Sequence, residues 1–462
     1  MKKLLLLFFL VGNIIYGQDL PTNEFSYNEF LGYVKKYHPL VKSANLEIDK
    51  AQANLMQARG GFDPKIEVDF KEKQFKDKEY YSILNSSFKI PTWYGIEIKA
   101  GFENNDGIYL NPENTVPNKG LAALGITVPL AQGLLINQRM ADVRKAKIQL
   151  QLSQAEQKLQ AIEVLYDASV AYFSWRKTFN EVKLYETYNK NAIIRFEGIK
   201  SLIKQGDKRA IDSIEAGISL KNRQLSLENA RLKLRKAQLS LETYLWLDNV
   251  IPFELADAMI PETNLDLTIQ ETLRTNDLTQ VDFSLDTHPK INALRNKIDM
   301  LTVDKKLKAN MLLPKIDVGY SYISEPSYID DYQFENYKLS VNFYFPLFLR
   351  KERGSLKLAQ YKIQESEFAL SLEQFQLSNK ISAQKFEIES LSKQNEIVKT
   401  LASDYKIMLQ SEERLFSFGE SSLFLINSRE NSLISAQLAA IDLENNYFVS
   451  NASLFKILAN PN

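Results

Sequence analysis

The segment from His38 to Val68, HPLVKSANLEIDKAQANLMQARGGFDPKIEV, is echoed by the segment from His288 to Val318, HPKINALRNKIDMLTVDKKLKANMLLPKIDV. These are the only two histidines in the chain. Each precedes a proline, and each stands the same distance ahead of a Pro-Lys-Ile triplet, at Pro64-Lys65-Ile66 and Pro314-Lys315-Ile316. Two matches in one register mark an internal duplication, which restricts the fold to two copies of one plan.

Each copy opens on a helix. Leu40, Ala44, Leu46, Ile48, Ala51 and Leu55 recur at near-helical spacing, as do Ile291, Leu294, Ile298, Leu301 and Leu307. Gly60-Gly61 with Pro64 ends the first, and Pro314 ends the second. The period then drops to two. Ile66, Val68 and Phe70 alternate with Lys65, Glu67 and Asp69, and Leu124, Ile126 and Val128 with Ala123, Gly125 and Thr127. In the second copy Ile316, Val318 and Tyr320 alternate with Lys315, Asp317 and Gly319, and Leu339, Val341 and Phe343 with Lys338, Ser340 and Asn342. These four segments are predicted strands with one apolar and one polar face. An insert around Lys71–Lys119, found only in the first copy, carries a weak strand near Tyr80–Ile90, a clear one at Ile96–Phe102 and an Asn/Pro-rich loop.

Val128-Pro129-Leu130 and Phe345-Pro346-Leu347 close the strand sections. Long proline-free stretches follow, from Leu130 to Pro252 and from Leu347 to Pro461. Each is broken once at a glycine-centred hairpin point, Lys204-Gln205-Gly206-Asp207 and Ser417-Phe418-Gly419-Glu420. The first outgoing helix would span about 73 residues, or ~110 Å, far beyond ordinary globular helices. In its return, Leu220, Leu227, Leu234 and Leu241 form one seven-residue ladder. Ile218, Leu225, Leu232, Leu239 and Trp246 form a second, nearly opposite. Two opposed seams suit a helix gripped on both sides, as in a wall of helices closed into a cylinder. A helix buried in a bundle is the alternative.

The N-terminus MKKLLLLFFLVGNIIYGQ has two lysines, an apolar run of about a dozen residues and then small or polar residues. It reads as a secretory signal peptide, residues 1–17, too short to anchor in a bilayer. No later segment approaches a transmembrane helix, so any crossing must be made by strands. Lysine plus arginine and aspartate plus glutamate both number 57, which removes the electrostatic case for nucleic acid. The absence of cysteine excludes disulfides, thiolate metal sites and cysteine nucleophiles. His38 and His288 occupy equivalent places before helix-starting prolines, which accounts for them without chemistry. No phosphate loop or nucleophile motif appears, so no enzyme activity, cofactor or metal is expected.

Four strands, or six with the insert, are fewer than the eight of the smallest outer-membrane barrels, and lipid tolerates no open edge. Several chains must therefore share a barrel. A homotrimer giving four strands each would make twelve. The signal peptide, the duplicated helix–strand–helix plan, the HP and Pro-Lys-Ile motifs, the Val-Pro-Leu and Phe-Pro-Leu closures and the glycine-centred tips together resemble the TolC-like outer-membrane efflux proteins, over nearly all the mature chain. The resemblance implies an α+β fold: a homotrimeric outer-membrane β-barrel, four strands per protomer, continued by a long periplasmic α-helical barrel. On it, residues 18–249 are the first repeat, 250–286 an equatorial linker and 287–462 the second repeat. The linker would form a collar with the segment Phe25–Tyr37. The insert is expected above the membrane or as an external plug.

The resemblance also implies function and partners. The protein would be a passive outer-membrane duct for small-molecule efflux, docked through a periplasmic adaptor to an inner-membrane pump. A type I protein secretion duct and a periplasmic coiled-coil tether are the alternatives. Gln205, Gly206, Asp207, Phe418, Gly419 and Glu420 match the adaptor-docking turns. Asp212 falls on an acidic constriction position of the family. The corresponding positions of the second repeat, Leu425 and Ser428, are not acidic, and Asn427 and Arg429 are candidates to complete the constriction.

Overall fold

The computed structural model describes residues 23–256, 258–273, 284–328 and 332–459. The expected signal peptide and residues 274–283 of the expected linker lie outside them. The chain divides into two compact units. One takes in the N-terminal stretch up to His38, Asp167–Asn276 and Ile388–Ala452; the other takes in Pro39–Tyr166, Asp277–Glu387 and the chain from Ser453 on.

The second unit holds the sheet. Helix α2 (Pro39–Arg59) leads into β2 (Lys65–Phe75), β3 (Lys78–Pro91), β4 (Glu97–Asp106) and β5 (Leu121–Pro129). Helix α6 (Pro289–Asn310) leads into β9 (Lys315–Ser324) and β10 (Tyr337–Tyr344). All pair antiparallel in the order β10-β9-β5-β4-β3-β2. The expectation of four strands is corrected to six. The strands of the insert are β3 and β4, and they lie inside the sheet, hydrogen-bonded on both sides, not above it or as a plug. A two-residue turn at Lys76-Asp77, both at positive φ, joins β2 to β3, the turn whose twist matches that of paired strands.

The first unit holds both helical hairpins. Helices α3 (Gln138–Lys204) and α7 (Arg350–Ser417) start in the sheet unit and finish here, and α4 (Ala210–Glu242) and α8 (Leu423–Leu458) return. The N-terminal β1 (Glu24–Phe25) pairs in parallel with β8 (Ile260–Pro261) of the linker, while β6 (Trp246–Leu247) pairs with β7 (Ile251–Pro252). Helices α1 (Tyr27–Tyr37) and α5 (Leu265–Thr272) complete this unit. Its core is aromatic: Tyr27 packs 5.3 Å from Tyr172 and 5.1 Å from Phe173. The Tyr172 hydroxyl donates to the Phe25 carbonyl at 2.6 Å and accepts from Glu262 N at 3.1 Å. Arg176 donates to the Glu262 and Thr263 carbonyls and pairs with Glu444 at 2.7 Å. The N-terminal segment and the linker thus share one core with the middle of α3.

The histidines explain why the HP motif appears twice. The His288 Nδ1 accepts from Lys290 N at 3.1 Å, capping α6, and its Nε2 bonds the Ile457 carbonyl in the last turn of α8 at 3.0 Å. His38 bonds the backbone of Thr243, the C-cap of α4, and stacks on Tyr244. His288 thus ties the start of α6 to the last turn of α8, and His38, the C-cap of α1, ties that helix to the end of α4. Burial lowers both imidazole pKa values, as expected for structural pins.

Candidate functional site: a two-faced sheet and two capped helical turns

Because strand side chains alternate, register decides what each face carries. One cross-strand row reads Ile66, Phe88, Ala100, Leu124, Tyr322, Tyr337, and the next Ile90, Ile98, Ile126, Tyr320, Leu339. Val128, Val318 and Val341 make a third. The opposite face reads Lys65, Lys89, Lys99, Gly125, Ser321, Lys338, with Glu97, Thr127, Gly319 and Ser340 beside it. Lys89 pairs with Glu67 on this polar face. Among the described residues nothing covers the apolar face: Ile66, Leu124, Leu339, Val341 and Phe343 are all exposed. Leaving one such side chain in water forgoes about 1.5–3 kcal/mol, and a whole face of them is stable only against lipid or another apolar surface.

The two helical turns are built alike. At the first, Gly206 has φ +85°, Gly206 N donates to the Ile203 carbonyl and Asp207 N to the Leu202 carbonyl. At the second, Gly419 has φ +81°, Gly419 N donates to Phe416 and Glu420 N to Leu415. Both are Schellman caps, in which a left-handed residue lets two N–H groups satisfy orphan helix carbonyls. Ile199, Ala216 and Leu423 bury a shared apolar cluster behind the turns. Gln205, Gly206, Asp207, Phe418, Gly419 and Glu420 themselves are exposed.

The three candidate constriction residues have defined partners. Asp212 Oδ2 accepts from Arg209 N at 3.1 Å, so this carboxylate caps the first turn of its own helix. Asn427 donates to Glu215 and accepts from Ser219, both at 3.3 Å. Arg429 lies 3.7 Å from Glu412. A further polar group was not singled out from sequence. Glu430 is 0 % exposed. Its Oε1 accepts from Arg195 at 3.0 Å and its Oε2 from Arg223 at 3.1 Å, and Arg223 also reaches Asn431 at 2.6 Å. One carboxylate on α8 thereby joins α3 and α4. In the sequence Glu430 stands in the polar stretch Asn427-Ser428-Arg429-Glu430-Asn431-Ser432, where nothing marks one carboxylate as buried. Nearby, burial pushes the Tyr188 hydroxyl up to about 12, while it donates to Gln437 at 2.6 Å.

Residues 282–460 match the family model of the outer membrane efflux proteins. That segment is the second repeat, so the family signal lies in one of the two copies. The matched family is one of efflux proteins of the outer membrane. Its fold is shared with the CmeC outer membrane channel of Campylobacter jejuni, at a TM-score of 0.65 and 13% identity over 94% of this chain and 85% of that one. The MtrE outer membrane channel of Neisseria gonorrhoeae, in its open state, gives 0.66 and 13%, over 94% and 89%. The outer membrane protein VceC of Vibrio cholerae gives 0.65 and 14%, over 94% and 96%. At such identities the likeness is one of fold. Among curated protein sequences there is no significant match. For an outer-membrane efflux protein the two-faced sheet has a direct meaning: apolar side chains meet lipid and polar ones meet water. Among the described residues no group of histidine and carboxylate side chains could hold a metal ion, and no helix is long and apolar enough to cross a membrane.

Proposed function

We propose that three copies of this chain assemble into a passive duct through which small molecules leave the periplasm. The uncovered apolar face of the sheet, backed by its polar face, carries the reading. A second observation supports self-association. In α4 the ladder of Leu227 and Leu241 is buried, whereas Ile218, Leu225, Leu232 and Leu239 are exposed. Tyr361, Phe368 and Phe375 repeat the same seven-residue exposure on α7. Ladders of this kind are seams awaiting a neighbouring helix.

In this reading the repeats 18–249 and 287–462 and the linker 250–286 keep the roles expected of them. The turns at Gln205-Gly206-Asp207 and Phe418-Gly419-Glu420 dock a periplasmic adaptor, which connects to an inner-membrane pump that supplies the energy. Asp212, Asn427 and Arg429 form the constriction. The test is the native mass and membrane fraction of the mature protein extracted in mild detergent. A detergent-requiring trimer from the outer membrane is expected. A monomer released without detergent would sink the duct. Replacing Asp212 by Ala should then change single-channel conductance, and an unchanged conductance removes Asp212 from the constriction.

A further inference from the structure

We infer that all six strands form barrel wall, with the free edge of β2 pairing to the free edge of β10 in a second copy. With the three copies proposed above, on which this count rests, the barrel holds eighteen strands, not twelve.

Three features of the sheet support this. The first is the stagger. A row perpendicular to the strands runs through Lys65, Lys89, Lys99, Gly125, Ser321 and Lys338. Lys65 is the first residue of β2, whereas Lys338 stands six residues before Tyr344, the end of β10. Across five strand spacings of ~4.8 Å the helix-side ends thus drift by six residues of ~3.3 Å, equivalent to a tilt of about 40°. Membrane barrels tilt their strands by about 35–45°. The drift runs through β2, β3 and β4 as through the rest, which a hairpin folded away from the wall would not need. The second is length: β2, β3 and β4 have 11, 14 and 10 residues, enough to span at that tilt. The third is the faces. Ile66, Val68 and Phe70 of β2 lie on the same side as Leu339, Val341 and Phe343 of β10.

Both edges leave backbone groups unpaired, which lipid does not permit. The occupant that fits is a second copy. β2 runs away from its helix and β10 runs toward its own, so the pair is antiparallel. Continuing the drift, about one residue per strand, places Glu67 between the levels of Asn342 and Tyr344, the two residues of β10 on the polar face nearest the helix-side end.

The chain has no cysteine, so introduced thiols are unique. Glu67→Cys would be combined with Asn342→Cys, and with Ser340→Cys or Tyr344→Cys to cover neighbouring registers. The control is Lys99→Cys with Asn342→Cys, the contact expected if β2 and β3 left the wall and β4 formed the edge. After native mass confirms a trimer, oxidation or a short bis-maleimide should link copies in the Glu67→Cys combinations, giving dimers and trimers in denaturing gels, and not in the Lys99→Cys control. Linkage in the Lys99→Cys control alone, or none in an intact trimer, overturns the eighteen-strand wall. A monomeric native mass overturns the trimer itself and this inference with it. Amide exchange on the unaltered trimer gives a second readout. The N–H groups of β2 that face away from β3 should be protected as strongly as those of β3, and rapid exchange there overturns the proposal.

Discussion

The two repeats agree at their turns and diverge on either side of them. Gly206 and Gly419 close the same Schellman cap, with the same pair of backbone bonds. Eleven residues on, the first repeat has Gly217, packed against Phe196, and the second has buried Glu430. At the other end, the first repeat supplies four strands and the second two. A turn with two defined backbone bonds and a left-handed residue leaves little latitude. A meander grows easily, because an added pair brings its own hydrogen-bond partners and its own share of apolar face. Duplicated proteins can therefore vary the membrane portion of one repeat while both keep the helical turn.

The largest expected effect tests the asymmetry at Glu430. Replacing it by Ala leaves Arg195 and Arg223 without their buried partner, and loss of one member of a buried ion network costs about 3–5 kcal/mol. The melting midpoint should drop sharply, whereas Gly217→Ala in the equivalent place of the first repeat should change it little. Equal effects would erase the distinction between the repeats. Next comes the sheet. Leu124→Arg, in the middle of the apolar face, should weaken the membrane-inserted form by ~2–4 kcal/mol, read as lost trimer in detergent and lost outer-membrane fraction. The same change at Ser321 on the polar face should leave assembly intact.

The turns come third. No heavy atom lies within 4 Å of a Cβ added at Gly206 or Gly419. Gly206→Ala and Gly419→Ala should therefore cost only the left-handed backbone term, roughly 1–2 kcal/mol each, and by similar amounts. A clear inequality in thermal midpoint would show that the turns carry different loads. The smallest effect is pH dependence. Burial lowers both His38 and His288 pKa values in the fold. Below the unfolded value of about 6.5, the unfolded chain takes up protons that the fold refuses. Stability is thus full above about pH 7 and declines as pH falls through 6.5 toward the lower folded values. His38→Gln should flatten part of that decline, and His288→Gln the remainder.

Much of this was legible in the sequence where a single physical signal acts alone. Strict alternation gave the cores of β2, β5, β9 and β10, and the lone glycines marked both turns. The sheet's true width was harder to read. Asn85-Ser86-Ser87 interrupts the apolar rhythm of β3, and Lys71-Glu72-Lys73-Gln74 carries β2 onward with no apolar face at all. Neither stretch announces a strand, although the ladder completes both. At the constriction, spacing from the glycine picked out Asp212, but spacing says nothing about the partner of a carboxylate, and Asp212 caps its own helix. Glu430 was hidden for the complementary reason: its partners lie more than two hundred residues away.

Only three tryptophans occur in the chain, and their surroundings differ. Trp175 is sealed in the aromatic core, Trp93 stacks on Phe62 at the turn between β3 and β4, and Trp246 meets His38 edge-on with centroids 6.4 Å apart. A protonated imidazole quenches indole emission, so Trp246 is a built-in optical reporter of the His38 pin. With Trp93 and Trp175 replaced by Phe, the remaining fluorescence would dim as that joint takes up a proton, with no label added to the protein.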